Sequence, residues 1–144
     1  MTTAAPTFRP TLPVAHALRP LLMFQGGVAE AAMTFYTAVF PDATIDDVER
    51  FADGEPGAGL VKQARFRIAG QELRCFDSPI PHAFGFTPSL SLAVECESAA
   101  ELERLFAALS EGGKVLMPLD DYGFSTRFGW TDDRFGVSWQ LNLA

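Results

Sequence analysis

The sequence predicts an α+β fold made of two βαβββ modules. Two observations carry this reading. The order strand, helix, three strands occurs twice along the chain. The two helical segments also register at an offset of 71 residues, with Ala29-Glu30 over Ala100-Glu101 and Phe35 over Phe106. A module of this kind covers one face of its sheet with its own helix. The other face must close on something, and the second module is the natural partner. Two such half-open sheets leave a cleft lined by the faces turned away from the helices.

The elements follow in order. Residues 1–17 read as a flexible N-terminal tail, because Pro6, Pro10 and Pro13 break any helix and little apolar surface is present. The fold is expected in residues 18–144 as one domain, with modules at about 18–80 and 86–144. Leu21–Gln25 is a short apolar strand ended by Gly26-Gly27. Val28–Phe40 reads as a helix with Ala29, Ala32, Phe35, Tyr36, Val39 and Phe40 on one side, and Pro41 stops it. Three strands follow at Thr44–Phe51, Val61–Ile68 and Glu72–Asp77, the last pair joined by the tight turn Ala69-Gly70-Gln71. In the second module, Ser89–Cys96 alternates with period 2, the clearest strand pattern in the chain. Ser98 with Glu101 three residues on forms a capping box. The helix it opens carries Leu102, Leu105, Phe106 and Leu109 on one side and ends at Gly112-Gly113. Three more strands follow at Lys114–Leu119, Ser125–Thr131 and Val137–Leu143, with Asp132–Gly136 as the last hairpin turn.

Composition narrows the function classes. Across 144 residues, 48% are hydrophobic and 20% charged, the balance of a globular domain. Eleven Lys and Arg against eighteen Asp and Glu give a net charge of -7, which argues against nucleic acid as a partner because a phosphate-backbone binder needs a basic stripe. No apolar run approaches a membrane span, so no membrane partner is expected. The two cysteines, Cys75 and Cys96, form no CxxC, and no signal-peptide pattern opens the chain. A cytoplasmic protein with both thiols free is the expectation. Thirteen Phe against two Tyr and two Trp point to core packing or to an apolar ligand cleft.

Alternation assigns the faces. Leu90, Leu92 and Val94 are expected on the helix, leaving Ser89, Ser91, Ala93 and Glu95 to the cleft. Val137, Trp139 and Leu141 form the core set of the last strand, leaving Ser138, Gln140 and Asn142. Ala64, Phe66 and Ile68 go to the core, leaving Gln63, Arg65 and Arg67. Leu21, Met23 and Gln25 are placed inward, as are Cys75 and Asp77 in the ambiguous strand Glu72–Asp77. The expected ligand-binding set is Gln25, Gln63, Arg65, Cys75, Ser89, Ser91, Trp130 and Gln140. Arg65 and Arg67 could grip an anionic ligand or form a solvated, ion-paired strand face. Cys75 beside Asp77 could pair a nucleophile with a base, or be a small buried residue next to a strand-end carboxylate; no His stands with them. Trp130, with Phe124 and Tyr122 nearby, could wall a pocket or serve core or dimer packing.

The paired βαβββ modules resemble the vicinal-oxygen-chelate superfamily, which includes glyoxalase I, extradiol dioxygenases and antibiotic-resistance proteins. The resemblance implies a glyoxalase-like half-open barrel. It narrows at Leu22–Gly26, Ala32–Tyr36, Val61–Phe66 and Phe86–Ser89, and is strongest over Phe128–Gln140. These segments are similar to the PhnB-like branch, whose members are often labelled 3-demethylubiquinone-9 3-methyltransferase. The likeness covers residues 18–144 and implies a homodimer. A typical S-adenosylmethionine site needs a Gly-rich loop between strand and helix of a doubly wound sheet. Gly26-Gly27 is the one candidate, and it also reads as a plain strand-to-helix turn.

Metal-dependent members of the superfamily place His or Gln on the first strand, Glu on the fourth, His on the fifth and Glu on the eighth. By the resemblance those positions fall here near Leu21, between Arg74 and Asp77, on Ser89 and on Gln140. Of the two histidines, His16 lies in the tail and His82 in the Pro79–Pro88 loop. No metal and no cofactor are therefore expected, and the catalytic residues are left open. The resulting expectation is a small-molecule cleft without the usual metal ligands, in a binding or sequestering protein. The alternative is a metal-independent enzyme acting on a small molecule, for which no group tuned near neutral pH is evident.

Overall fold

The computed structural model describes residues 4, 5, 13 and 15–144. Most of the expected tail at 1–17 lies outside the described residues. The elements run β1 (Leu21–Phe24), α1 (Ala29–Val39), β2 (Thr44–Arg50), β3 (Val61–Ile68), β4 (Gln71–Asp77), β5 (Ser91–Cys96), α2 (Ala99–Ser110), β6 (Lys114–Asp120), β7 (Arg127–Asp132) and β8 (Ser138–Leu143). The architecture is the expected α+β pair of βαβββ modules. Two four-stranded sheets, in the orders β1-β4-β3-β2 and β5-β8-β7-β6, repeat one topology. In each, the first strand pairs parallel to the last, β1 with β4 and β5 with β8, and the other pairs are antiparallel.

The helices behave as their sequences dictate. Ser98 caps α2, its Oγ accepting from Glu101 N at 3.1 Å, while Glu101 Oε1 reaches back to accept from Glu97 N at 3.1 Å. Val28, which opens α1, has no side-chain cap. Asp77 supplies one from β4: Oδ1 accepts from Ala29 N and Oδ2 from Val61 N, both at 2.9 Å. One buried carboxylate thus fixes the start of α1 and the start of β3.

Burial corrects the helical repeat. The buried face of α1 is Ala29, Ala32, Met33, Tyr36 and Val39, and that of α2 is Leu102, Leu105, Phe106 and Leu109. Ala29, Ala32, Met33 and Tyr36 lie 73 positions before Leu102, Leu105, Phe106 and Leu109, so the structural offset is 73 rather than 71. Met33, not Phe35, is the counterpart of Phe106. Phe35 is half-buried at the flank of α1, tilted against Phe135 at 5.8 Å between centroids, with the Arg134 guanidinium 4.3 Å over its ring.

Strand parity is mostly as expected. Ala64, Phe66 and Ile68 are buried and Gln63, Arg65 and Arg67 exposed. Val137, Trp139 and Leu141 are buried. Leu22 and Phe24 fill the core, which turns Leu21, Met23 and Gln25 to the other face of the sheet. Two expectations fail. Cys75 and Asp77 point into the core with Leu73, not toward the cleft. Pairing sets this: Cys75 lies beside Leu22 and Ala64, both on the helix side. Leu90 is 73% exposed, because Pro88 and Ser89 form a turn and β5 begins only at Ser91.

The modules meet on their helix sides. Arg104 Nη1 on α2 donates to Val39 O at 3.0 Å. Tyr36 packs edge-on against Trp139 at 5.4 Å, and its hydroxyl donates to Asp133 Oδ2 at 2.6 Å. Trp139 Nε1 donates to the same oxygen at 2.9 Å, while Oδ1 accepts from Phe135 N at 2.8 Å and Val137 N at 3.1 Å. Asp133 is 2% exposed, so its loss strands buried donors that water cannot reach. Asp133→Ala is expected to cost more than about 3 kcal/mol in urea unfolding, and Tyr36→Phe about 1–2 kcal/mol. A loss below about 1 kcal/mol for Asp133→Ala would show that the clamp is not needed.

Candidate functional site

A polar cluster lies on the second sheet, on the face turned away from α2. Ser91 and Ser138 are register partners on β5 and β8, as are Trp130 and Gln140 on β7 and β8. Trp130 Nε1 donates to Ser138 Oγ at 2.8 Å, and Gln140 Nε2 donates to Ser91 Oγ at 3.2 Å. The two hydroxyls share one hydrogen bond at 2.7 Å. Two O–H groups flank that single bond, so one hydroxyl hydrogen has no acceptor inside the cluster. Ser138 is buried, while Ser91, Trp130 and Gln140 are half-buried. A recess of about 200 Å³ opens beside Ser91 and Ser138, walled by Leu22, Phe86 and Leu90 among others.

Two buried side-chain oxygens, Asp132 Oδ1 and Asn142 Oδ1, lack a hydrogen-bond partner among the described residues. Asp132 is the register partner of Ser138, and Asn142 donates from Nδ2 to Glu95 Oε2 at 2.9 Å. Burial and the neighbouring Asp133 push the Asp132 carboxyl above its ordinary value, partly offset by Lys114. Ser138, on the face that alternation leaves to the cleft, and Asp132 join the expected Ser91, Trp130 and Gln140 here. Asp132 reads in sequence as part of a hairpin turn, and only its buried, unpartnered oxygen distinguishes it.

The other expected site residues disperse. Gln25 is spent on the 79–88 loop: Nε2 donates to Phe84 O at 2.6 Å and Oε1 accepts from His82 N at 2.8 Å. Ser89 lies in the turn ahead of β5, its Oγ 2.7 Å from Thr87 Oγ1. Gln63 and Arg65 are exposed on the first sheet and make no side-chain contact with the Ser91 cluster among the described residues. On that same face burial raises the Glu72 carboxyl, but hydrogen bonds and charge from Arg19 and Arg74 outweigh it and hold the pKa below the ordinary value.

Cys75 is buried against the helix side, so it does not reach the cleft. Burial, with a smaller contribution from the Asp77 charge, pushes its thiol from 9.0 up to about 12. Folding favours the neutral thiol, so this stabilisation is complete below about 9 and is lost as the pH rises through about 12. Cys96 is also free and buried. Iodoacetamide at pH 8 is expected to leave Cys75 unmodified in the native protein and to modify it in urea, as read by peptide mapping. Rapid native labelling of Cys75 would mean that its thiol faces solvent after all.

The donor set does not fit the metal centre that the superfamily resemblance implies. The first-strand position is the apolar, exposed Leu21, and the fourth offers the cation Arg74 or the core-facing Asp77. The fifth-strand position, Ser89, is off the strand, and the Gln140 amide is bonded to Ser91. Among the described residues, no group of three or more His, Cys, Asp or Glu could hold a metal ion. No helix among them is long and apolar enough to cross a membrane.

Comparison with known proteins bears out the fold. The family model described as 3-demethylubiquinone-9 3-methyltransferase matches residues 16–142. A PhnB protein from Bacillus cereus is 46% identical, with a TM-score of 0.84 over 88% of this chain and 98% of that one. Protein YjdN of Escherichia coli (strain K12) is 26% identical over 141 residues, covering 88% of this chain and 95% of its own length. The fosfomycin resistance protein FosX from Listeria monocytogenes shares the fold at 14% identity, with a TM-score of 0.65 over 90% of this chain and 93% of that one. The chain has a glyoxalase-like fold and belongs, with the PhnB protein, to the family described as 3-demethylubiquinone-9 3-methyltransferase.

Proposed function

We propose that this protein binds a small polar molecule on the face of the second sheet that carries Ser91, Trp130, Ser138 and Gln140. The observation that carries this reading is the hydroxyl hydrogen left without an acceptor in the Ser91–Ser138 pair. Beside it, the unpartnered oxygen of Asp132, the register partner of Ser138, calls for a donor. A ligand presenting an acceptor next to a donor satisfies both. The indole of Trp130, fixed by its bond to Ser138, offers a flat apolar surface next to them. Binding rather than catalysis is favoured because Ser91, Trp130, Ser138 and Gln140 offer hydroxyls, an indole and an amide, and no His or Cys stands with them as base or nucleophile.

The recess is small against typical ligand pockets of roughly 300–1,000 Å³. We therefore propose a homodimer in which a second copy helps enclose the ligand. The exposed Leu90, which also lines the recess, and the exposed Ile80 and Phe84 of the 79–88 loop supply apolar surface for it. A cytoplasmic location is proposed with it, where both buried thiols stay reduced.

A thermal-shift screen against small polar metabolites tests the reading. A ligand at 100 times its Kd stabilises by about 2.7 kcal/mol. The double variant Ser91→Ala/Gln140→Ala is expected to fold with a loss of no more than about 1–2 kcal/mol and to lose that shift. A double variant that keeps the ligand response moves the site elsewhere; one that fails to fold makes the cluster structural. Sedimentation equilibrium is expected to give twice the chain mass, and a monomer at all concentrations would refute the dimer.

A further inference from the structure

Glu72 projects from β4 on the face of the first sheet turned away from α1, and its side chain is only 8% exposed. Four guanidinium groups crowd it. Arg19 Nε and Arg74 Nε stand 3.0 and 3.3 Å from Oε2, while Arg67 Nη2 and Arg65 Nη1 approach Oε1 at 3.8 and 3.9 Å. Arg67 also reaches Asp46 at 3.2 Å and Arg65 reaches Asp47 at 3.8 Å. Four guanidiniums therefore face three carboxylates, in a chain whose net charge is -7.

The surplus lies on the side toward β1, where Arg19 and Arg74 share Glu72 and have no other carboxylate within 4.0 Å among the described residues. Arg65 and Arg74 are directly opposite each other on β3 and β4, an arrangement that like charges disfavour. Their donors are also underused. Arg65 meets carboxylates only at 3.8 and 3.9 Å, beyond hydrogen-bond distance, and Arg74 engages Glu72 through Nε alone. Both planar forks are thus open to an oxygen pair from outside. Apolar surface adjoins them: Leu21 is the register partner of Arg74, and Met23 of Phe76, all on the same face. Leu21 is 59% exposed.

We propose that Arg19, Arg65 and Arg74 form an oxyanion site that takes the carboxylate or phosphate head of a small molecule whose apolar part lies over Leu21, Met23 and Phe76. Glu72 is the built-in counter-anion that holds the guanidiniums in place and competes with the incoming head. The site lies on the other sheet from the Ser91 cluster and does not depend on the function proposed for that cluster.

The test uses the full chain, labelled with nitrogen-15 and titrated separately with inorganic phosphate and with hexanoate. Saturable shifts are expected at the Nε–H signals of Arg65 and Arg74. Hexanoate alone is expected also to move the amides of Leu21 and Met23, which separates a carboxylate with an apolar tail from a bare phosphate. Arg65→Gln, which breaks no hydrogen bond, and Arg74→Gln should each weaken binding about tenfold. Glu72→Gln should strengthen it by removing the competitor. Added sodium chloride should weaken it, because the pairing is partly exposed. The Ser91→Ala/Gln140→Ala variant should bind both anions as the unaltered chain does. No saturable shift with either anion, unchanged affinity in both Arg variants, or loss of binding in the Ser91→Ala/Gln140→Ala variant would each overturn the assignment.

Discussion

One buried carboxylate, Asp133, decides how the two halves of this molecule sit together. It is the first residue of a tight turn, accepts from the backbone of that turn, and accepts from side chains of both modules. A buried charge without partners would cost several kcal/mol, so its four donors are a condition for its presence. Each donor is oriented in return. Val137 N and Phe135 N close the turn that launches β8, Trp139 is pinned by its indole, and Tyr36 ties α1 to the second module. The alternation along β8 is fixed at that point. With Trp139 held in the core, Ser138 and Gln140 have no choice but to face the other way.

The first module uses the same device with Asp77. A carboxylate at the end of β4 caps α1 and receives the first amide of β3. Each half therefore rests on one buried acid that organises backbone ends, inside a core otherwise built of Phe, Leu, Met and Trp. The consequence for function is spatial. Both acids work on the helix side, so the opposite faces are left free of structural duty and carry the remaining polar and charged groups. On the second sheet these are hydroxyls and amides with the carboxylates of Asp132 and Glu95; on the first they are arginines gathered around Glu72.

Much of this was legible in the sequence, and the failures share a cause. The order of ten elements and the parity of β3 and β8 follow from hydrophobic alternation, because Ala64, Phe66 and Ile68, and Val137, Trp139 and Leu141, leave only one face for the polar set. Cys75 was misplaced because β4 carries a polar residue, Asp77, at a core position and so offers no clean alternation; its orientation is set by pairing with Leu22 and Ala64. Leu90 was misplaced because the pattern runs smoothly through Ser89–Cys96 while Pro88 delays the strand. Gln25 and Asp133 read as a cleft residue and a turn residue. What they do depends on partners 57 and 97 positions away in His82 and Tyr36, which no local pattern can reveal. The 71-residue repeat was close, yet sequence identity favoured Phe35 over Phe106, whereas packing aligns Met33 with Phe106.

The same reasoning separates family from chemistry. Membership in a family named for a methyltransferase comes here with a glyoxalase-like scaffold, on which the superfamily resemblance implies metal ligands at four strand positions. Here those positions hold a leucine, either the cation Arg74 or the core-facing Asp77, a serine on a turn and a hydrogen-bonded glutamine. Of the two fourth-strand candidates, Asp77 is buried in the core and only Arg74 reaches the face turned away from α1. A guanidinium cannot lose its charge in a protein, so at the fourth-strand position it repels a divalent cation and attracts an anion. An arginine there inverts the sign of what the outer face of the first sheet recruits, while the Ser91 cluster lies on the second sheet. The arginines and the Ser91 cluster lie on different sheets, each on the face turned away from its own helix, so the first selects by charge and the second, separately, by hydrogen-bond geometry.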